Sequence, residues 1–178
     1  MTILLSGGCK NGKSSYAERL AVRLAGQGPR YYVATMIPHD EEDRARIRRH
    51  VAERDGLGFT TLECGTGIDR CAIGREDGTF LLDSVTALLS NEMFPWPGEP
   101  DPDCPARVAE ELRRFAGSVR NAVFVSDYLY ADAEAYDELT ERYRFGLALL
   151  DRTLAEVCDT VIEVCAGTIT LHKGGLPQ

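Results

Sequence analysis

The chain has 178 residues, 44% hydrophobic and 27% charged. That is enough apolar material for a core without staples, and too ordinary a mixture for disorder, a collagen-like repeat or a coiled coil. Lys and Arg number 20 against 28 Asp and Glu, a formal charge of −8, so no basic field exists to gather a phosphodiester backbone and nucleic acid is not an expected partner.

Met1 to Leu5 has no basic leader, and its apolar run is too short for a signal-peptide core; no stretch approaches the length of a membrane span. A cytoplasmic location is expected. The six cysteines, Cys9, Cys64, Cys71, Cys104, Cys158 and Cys165, include no pair two to four residues apart as zinc sites use. They are expected to be free thiols serving as small apolar residues.

Short aliphatic runs alternate with longer stretches of helical spacing, the pattern of a parallel sheet with crossover helices. Thr2 to Ser6 reads as a strand, and Lys13 to Ala25 as a helix that Gly26 and Gly28 stop. Arg30 to Thr35 is a second strand. Asp40 to Arg54 is a charged helix, with its acids in the first turn, where they oppose the dipole. Phe59 to Glu63 and Thr79 to Asp83 are strands around a weak helical piece, and a helix runs from Val85 to about Phe94.

Five prolines between Pro95 and Pro105 make a loop, since proline fixes φ and removes a donor. Ala106 to Ser118 has helical spacing, Ala122 to Ser126 is a strand, and Ala133 to Cys158 is a long helix or a broken pair. Thr160 to Cys165 and Thr168 to His172 pair around Ala166-Gly167. The expectation is one three-layer α/β domain over residues 1–178, with a mostly parallel central sheet, a C-terminal strand pair and a Pro-rich surface loop at 95–105.

The strongest local signal is Gly7-Gly8-Cys9-Lys10-Asn11-Gly12-Lys13-Ser14, which fits GxxxxGK[ST] between an apolar strand and a helix. In that setting backbone N–H groups converge on phosphate oxygens and the helix N-terminus adds partial positive charge. Lys13 is expected to neutralise the β- and γ-phosphates, Ser14 to offer its hydroxyl to Mg²⁺, and Ser15 to add a donor at the loop exit. The acid such a loop needs for its metal is supplied by Asp83 at a strand end, a role favoured there over that of a helix cap; Asp127 competes for it. A nucleoside triphosphate follows from these residues, but not a reaction.

Those residues, with several farther along, resemble the bifunctional adenosylcobinamide kinase/adenosylcobinamide-phosphate guanylyltransferases of cobalamin biosynthesis. Their loop GGxRSGKSxxAE stands here as Gly7 to Glu18 with Lys10-Asn11 in place of Arg-Ser. Their Tyr-x-Ala-Thr strand is Tyr32 to Thr35, their R-I-x-x-H-x-x-x-R helix is Arg46 to Arg54, and their T-x-E strand is Thr61 to Glu63. The acid-bearing strand and helix are Leu81 to Asn91, and the closing A-G and Lys are Ala166-Gly167 and Lys173. The later part departs: T-N-E-V-G becomes Ser126-Asp127-Tyr128-Leu129-Tyr130, and F-R-D-x-x-G-x-x-N becomes Tyr143-Arg144-Phe145 through Asp151.

The resemblance implies a P-loop NTPase-like fold and a transferase using ATP or GTP with Mg²⁺. It would phosphorylate adenosylcobinamide, and His50, as nucleophile, would then carry GMP from GTP to the new phosphate. Imidazole suits that role chemically, and Arg46, Arg49 and Arg54 lie three or four residues away, able to stabilise charge growing on the phosphoryl group; the plain alternative is an exposed histidine in a basic helix. By the same carry-over Ala34, Thr35, Val51 to Arg54, Glu63 and Asp83 line the guanine nucleotide site, Glu63 either as an acceptor for the base's N1 and N2 donors or as a solvated strand-end acid, and the protein is a homo-oligomer, a trimer. A kinase of another alcohol with His50 idle, or a nucleotide-dependent regulatory protein, is the competing reading.

Overall fold

The computed structural model describes residues 1–177 and contains one seven-stranded sheet. The strands are β1 (Thr2–Gly7), β2 (Arg30–Ala34), β3 (Thr60–Glu63), β4 (Thr79–Asp83), β5 (Asn121–Asp127), β6 (Thr160–Cys165) and β7 (Thr168–Lys173). They lie in the order β3-β2-β4-β5-β1-β6-β7. All pairings are parallel except β6 with β7. Helices α1 (Lys13–Ala25), α2 (Glu41–Glu53), α3 (Val85–Met93), α4 (Pro105–Ser118) and α5 (Glu138–Val157) connect them, with a short 3-10 helix at Ile68–Ala72.

Period-two alternation assigns the two sheet faces. Ile3, Leu5, Leu81, Val123 and Val125 pack with Ala17, Leu20 and Ala21 of α1. Leu4, Val33, Phe80, Leu82 and Phe124 point the other way, into the larger core under α3, α4 and α5. Phe115 of α4 meets both Phe80 and Phe124 edge to face at 5.3 and 6.0 Å, an arrangement aromatic quadrupoles favour. In contrast, none of the described side chains of α2 is buried. This helix is held out as a polar wall, capped by Asp40, whose carboxylate accepts from the Asp43 N–H at 2.8 Å.

The parallel strands end together. Gly7, Ala34, Glu63, Asp83 and Asp127 are the last residues of β1 to β5, and the register sets Gly7 against Asp127 and Ala34 against both Glu63 and Asp83. Every acid of interest therefore stands on the carboxyl edge, where open α/β sheets bind ligands.

Several boundaries differ from the sequence expectation. β2 and β3 exclude Thr35 and Phe59, and Asp40 and Arg54 are the caps of α2, not members of it. The stretch from Ala133 to Asp137 is neither part of a long helix nor a helix of its own. The Arg144 guanidinium gathers the carbonyls of Tyr130, Asp132 and Glu134 at 3.2 to 3.4 Å and bonds the Asp132 carboxylate at 2.8 Å. These carbonyls are then unavailable to a helix, and α5 starts only where Asp137 caps the Leu139 and Thr140 N–H groups at 3.0 Å. The expectation of six free thiols is also corrected. The turn at Gly67 and the 3-10 helix carry Cys71 back to Cys64, Cα atoms 6.8 Å apart, and the two form a disulfide. Cys9, Cys104, Cys158 and Cys165 are free thiols.

Candidate functional site

The loop from Gly8 to Gly12 leaves β1 and enters α1 with Gly12 as N-cap at φ +89°, a conformation that penalises a Cβ. No side chain caps this helix, so its first-turn N–H groups are left for an anion. Gly7 is required for a different reason: a Cβ there would overlap the Val164 carbonyl of β6. Asn11 ties the loop to the same carbonyl, its Nδ2 donating at 2.6 Å.

Lys13 is 5% exposed, and its ammonium donates to Asp127 Oδ1 and to the Gly8 carbonyl, both at 2.6 Å. Beside it Asp83 accepts from the Tyr32 hydroxyl at 3.2 Å and from the Ser14 hydroxyl. Burial pushes the Asp83 carboxyl above the usual carboxylate range. The Ser14 and Tyr32 hydroxyls, and next the neighbouring His50, pull it back, while Asp127 adds to the rise. The α3 cap is Ser84, whose Oγ accepts from the Ala87 N–H at 3.2 Å, so Asp83 does not serve as the cap.

The far side of the site is α2 and its C-cap. Arg54 is buried with its guanidinium 3.4 Å from the centre of the Tyr32 ring, and burial, chiefly, with the Asp83 charge next, raises the Tyr32 hydroxyl far above its ordinary pKa. Arg54, Tyr32 and Asp83 thus form a stack from the end of α2 down to the sheet edge. Arg48 and Arg44 reach back to Glu41 at 2.7 and 3.8 Å; Arg46, Arg49 and His50 face the opening between α2 and the sheet.

These parts enclose a cleft of about 1230 Å³, ample for a nucleotide with a second molecule beside it. Of the residues singled out from sequence, Cys9, Lys10, Asn11, Gly12, Lys13, Ser14, Ser15, Ala34, His50, Val51, Arg54, Glu63 and Asp83 line it. Gly7 and Gly8 do not line it. Nor does Thr35, whose hydroxyl is engaged with Ser84, accepting from its N–H at 2.7 Å and donating to its carbonyl at 2.9 Å. Sequence reasoning passed over Tyr32, Thr86 and Tyr143 as cleft residues. Tyr32 could have been found from its place two residues before Ala34 on the strand, but Thr86 and Tyr143 become neighbours only through the packing of α3 on α5. There the Tyr143 hydroxyl donates to the Thr86 carbonyl at 2.9 Å.

The Ser14 hydroxyl and Asp83 carboxylate are a hard oxygen pair lining the cleft where the phosphate loop enters α1. Among the described residues no group of three or more His, Cys, Asp or Glu could hold a metal by itself. The pair fits Mg²⁺, which takes one or two protein oxygens and completes its shell with phosphate and water.

The family model described as cobinamide kinase/cobinamide phosphate guanyltransferase matches residues 3–171. The bifunctional adenosylcobalamin biosynthesis protein CobU of Salmonella typhimurium is 35% identical over 108 residues, and that of Escherichia coli 33% over 105. Each alignment covers 58% of this chain and 56% of the relative, so the match spans little more than half the relative's length. Among solved structures, a KaiC-like protein from Pyrococcus horikoshii superposes with a TM-score of 0.51 at 14% identity, over 97% of this chain and 78% of that one; the likeness is one of fold, that of P-loop NTPases. With that family model spanning nearly its whole length, the chain belongs to the cobinamide kinase/cobinamide phosphate guanyltransferase family.

Proposed function

We propose that this chain, acting as one catalytic unit over residues 1–178, phosphorylates the hydroxyl of adenosylcobinamide with ATP or GTP and then transfers GMP from guanylylated His50 to the resulting phosphate. The observation that carries the reading is that His50 and the phosphate loop open on one cleft, with the Arg46, Arg49 and Arg54 guanidinium groups on the histidine's side. The printed names of the two relatives, both bifunctional proteins of adenosylcobalamin biosynthesis, support it.

In the kinase step the loop amides and Lys13 hold the β- and γ-phosphates, and Lys13 must leave Asp127 to do so. Ser14 and Asp83 would hold Mg²⁺, which supplies neutralisation of charge on the phosphate oxygens. The acceptor hydroxyl oxygen takes the γ-phosphoryl group as the bridging P–O bond to the β-phosphate breaks, the nucleoside diphosphate departs and the hydroxyl proton passes to solvent. In the second reaction an unprotonated imidazole nitrogen of His50 forms a bond to the α-phosphorus of GTP and pyrophosphate departs. A phosphate oxygen of the acceptor then attacks that phosphorus, the P–N bond breaks, and the imidazole recovers its electron pair. Glu63 is assigned to the guanine N1 and N2 donors, with Ala34 and Val51 beside the base. Thr35 acts by bracing Ser84.

We also assign the protein to the cytoplasm and take its working form to be a homo-oligomer, a trimer. Among the described residues no helix is long and apolar enough to cross a membrane. Incubation with α-labelled GTP and Mg²⁺ tests the central claim: protein-bound label stable in base and lost in acid is the mark of a P–N bond. His50→Asn should lose that label and keep cobinamide phosphorylation. A variant labelled as strongly as the parent would remove His50 from the reaction.

A further inference from the structure

The two walls of the cleft differ in chemistry. On the α2 side the lining is cationic, suited to phosphates, whereas Thr86, Ala87 and Ser90 of α3 and Tyr143 of α5 present no charged group. In phosphoryl transfer the acceptor oxygen approaches opposite the leaving β-phosphate. With the nucleotide held by the loop and α2, the acceptor is left the neutral wall.

Beside that wall, against Tyr143, stands a second aromatic ring. The Phe94 ring lies 6.0 Å from the Tyr143 ring, centre to centre. Phe94 is 38% exposed, and Trp96, two residues on, is 84% exposed, the most exposed of the large apolar side chains. The loop carrying Trp96 is tied down. The Phe94 N–H donates to the Ser90 carbonyl and the Asp101 N–H to the Met93 carbonyl, each at 2.9 Å, and Arg142 of α5 reaches Asp103 at 3.5 Å. A tryptophan held this far into water on a braced loop marks a contact surface.

We propose that Tyr143, Phe94 and Trp96 form the shelf on which the corrin macrocycle of the acceptor rests; the assignment presupposes the cobinamide kinase reading above. A corrin offers a broad apolar face to stack on rings. A cobalt(III) corrin with a carbon ligand is also cationic, and the loop from 95 to 105 holds three acids with no Lys or Arg; Asp101 and Asp103 are paired with Arg107 at 3.8 Å and Arg142 at 3.5 Å, so Glu99 is the acid that offers it charge. Charge and shape therefore select the same occupant.

The test is equilibrium dialysis of adenosylcobinamide, followed by its visible absorbance, against the parent, Trp96→Ser and Phe94→Leu. α-Labelled GTP incorporation and size-exclusion elution are measured in parallel. Both variants should weaken corrinoid binding about tenfold and raise the KM for cobinamide with kcat little changed, while His50 still loads with GMP. Corrinoid binding at parental affinity by both variants would overturn the shelf and leave the function standing. So would a change of oligomeric state with corrinoid affinity kept, because the surface would then be a contact between copies of this chain. A parent that loads GMP but takes up no corrinoid would overturn the kinase reading and the shelf together.

Discussion

The Lys13 ammonium lies 2.6 Å from Asp127 Oδ1, bridging the phosphate loop to the end of β5, the strand whose Asp127 is in register with Gly7 of β1. Two anions therefore compete for one buried cation, the Asp127 carboxylate in the ligand-free chain and the phosphates of a bound nucleotide. Removing the carboxylate while keeping its shape should unbalance the contest. Asp127→Asn is expected to lower the melting temperature without nucleotide, since a buried ammonium losing its partner is destabilising by at most about 3–5 kcal/mol, and less here because Asp127 is partly exposed. Saturating ATP with Mg²⁺ should close most of the gap, and calorimetry should show triphosphate binding tightened severalfold. An equal loss of melting temperature with and without ATP would show that the pair does not compete with phosphate.

Lys13→Ala makes the complementary test. Asp127 remains at the loop mouth with no ammonium in front of it, so the variant presents negative charge to an incoming polyphosphate. Phosphoryl transfer to cobinamide should fall at least about 100-fold, and triphosphate affinity should fall with it. The double variant with Asp127→Asn should recover affinity but not turnover, because charge neutralisation in the transition state is still missing. Single-turnover assays with bound ATP separate the two effects.

The stack of Arg54 on Tyr32 on Asp83 couples the end of α2 to the acid that closes β4. Arg54→Ala removes a cation–π contact worth about 0.5–2 kcal/mol at a buried site and loosens the end of α2. GMP loading of His50 should drop about tenfold while the kinase rate changes far less. Tyr32→Phe keeps the ring under Arg54 but takes the hydroxyl from Asp83. Its expected signature is a higher Mg²⁺ requirement in the kinase assay, with GMP loading near normal at saturating Mg²⁺. Both effects are read by titrating Mg²⁺ in each assay.

Much of this site could be read from residue order because its parts are local. The phosphate loop is one contiguous turn, and Asp83 announces itself as the first charge after the apolar run Phe80-Leu81-Leu82. What could not be read depends on long-range packing. Nothing near Ala133 to Tyr136 reveals that Arg144 will claim the carbonyls a helix needs. Thr35 follows a strand like any lining residue, and only the return of β4 beside β2 engages its hydroxyl with Ser84. The pairing of Cys64 with Cys71 depends on a glycine turn and a 3-10 helix too short to carry a periodic signal.

Asp151 of α5 provides a pH prediction away from the reacting groups. It is buried and accepts from the Tyr130 hydroxyl at 2.7 Å. Burial raises its carboxyl above the ordinary range; hydroxyls of Ser126, Tyr130 and Ser6 offset this in part, and the charge of Asp127 adds to it. Because the folded chain holds this proton more tightly than the unfolded chain, the folded state binds more protons across the window that opens at the ordinary aspartate pKa and closes at the raised one. Stability therefore falls as pH rises through that window and stays reduced above it. Asparagine copies the protonated form, keeps an acceptor for Tyr130 and carries no charge to desolvate. Asp151→Asn should thus melt close to the parent at pH below the ordinary aspartate range and increasingly above it toward neutrality, by about 2–4 °C for each kcal/mol of penalty removed. Melting curves of the two proteins from pH 3.5 to 7.5 decide the point: a difference that does not grow with pH would mean that Asp151 is ionised in the folded protein at no cost.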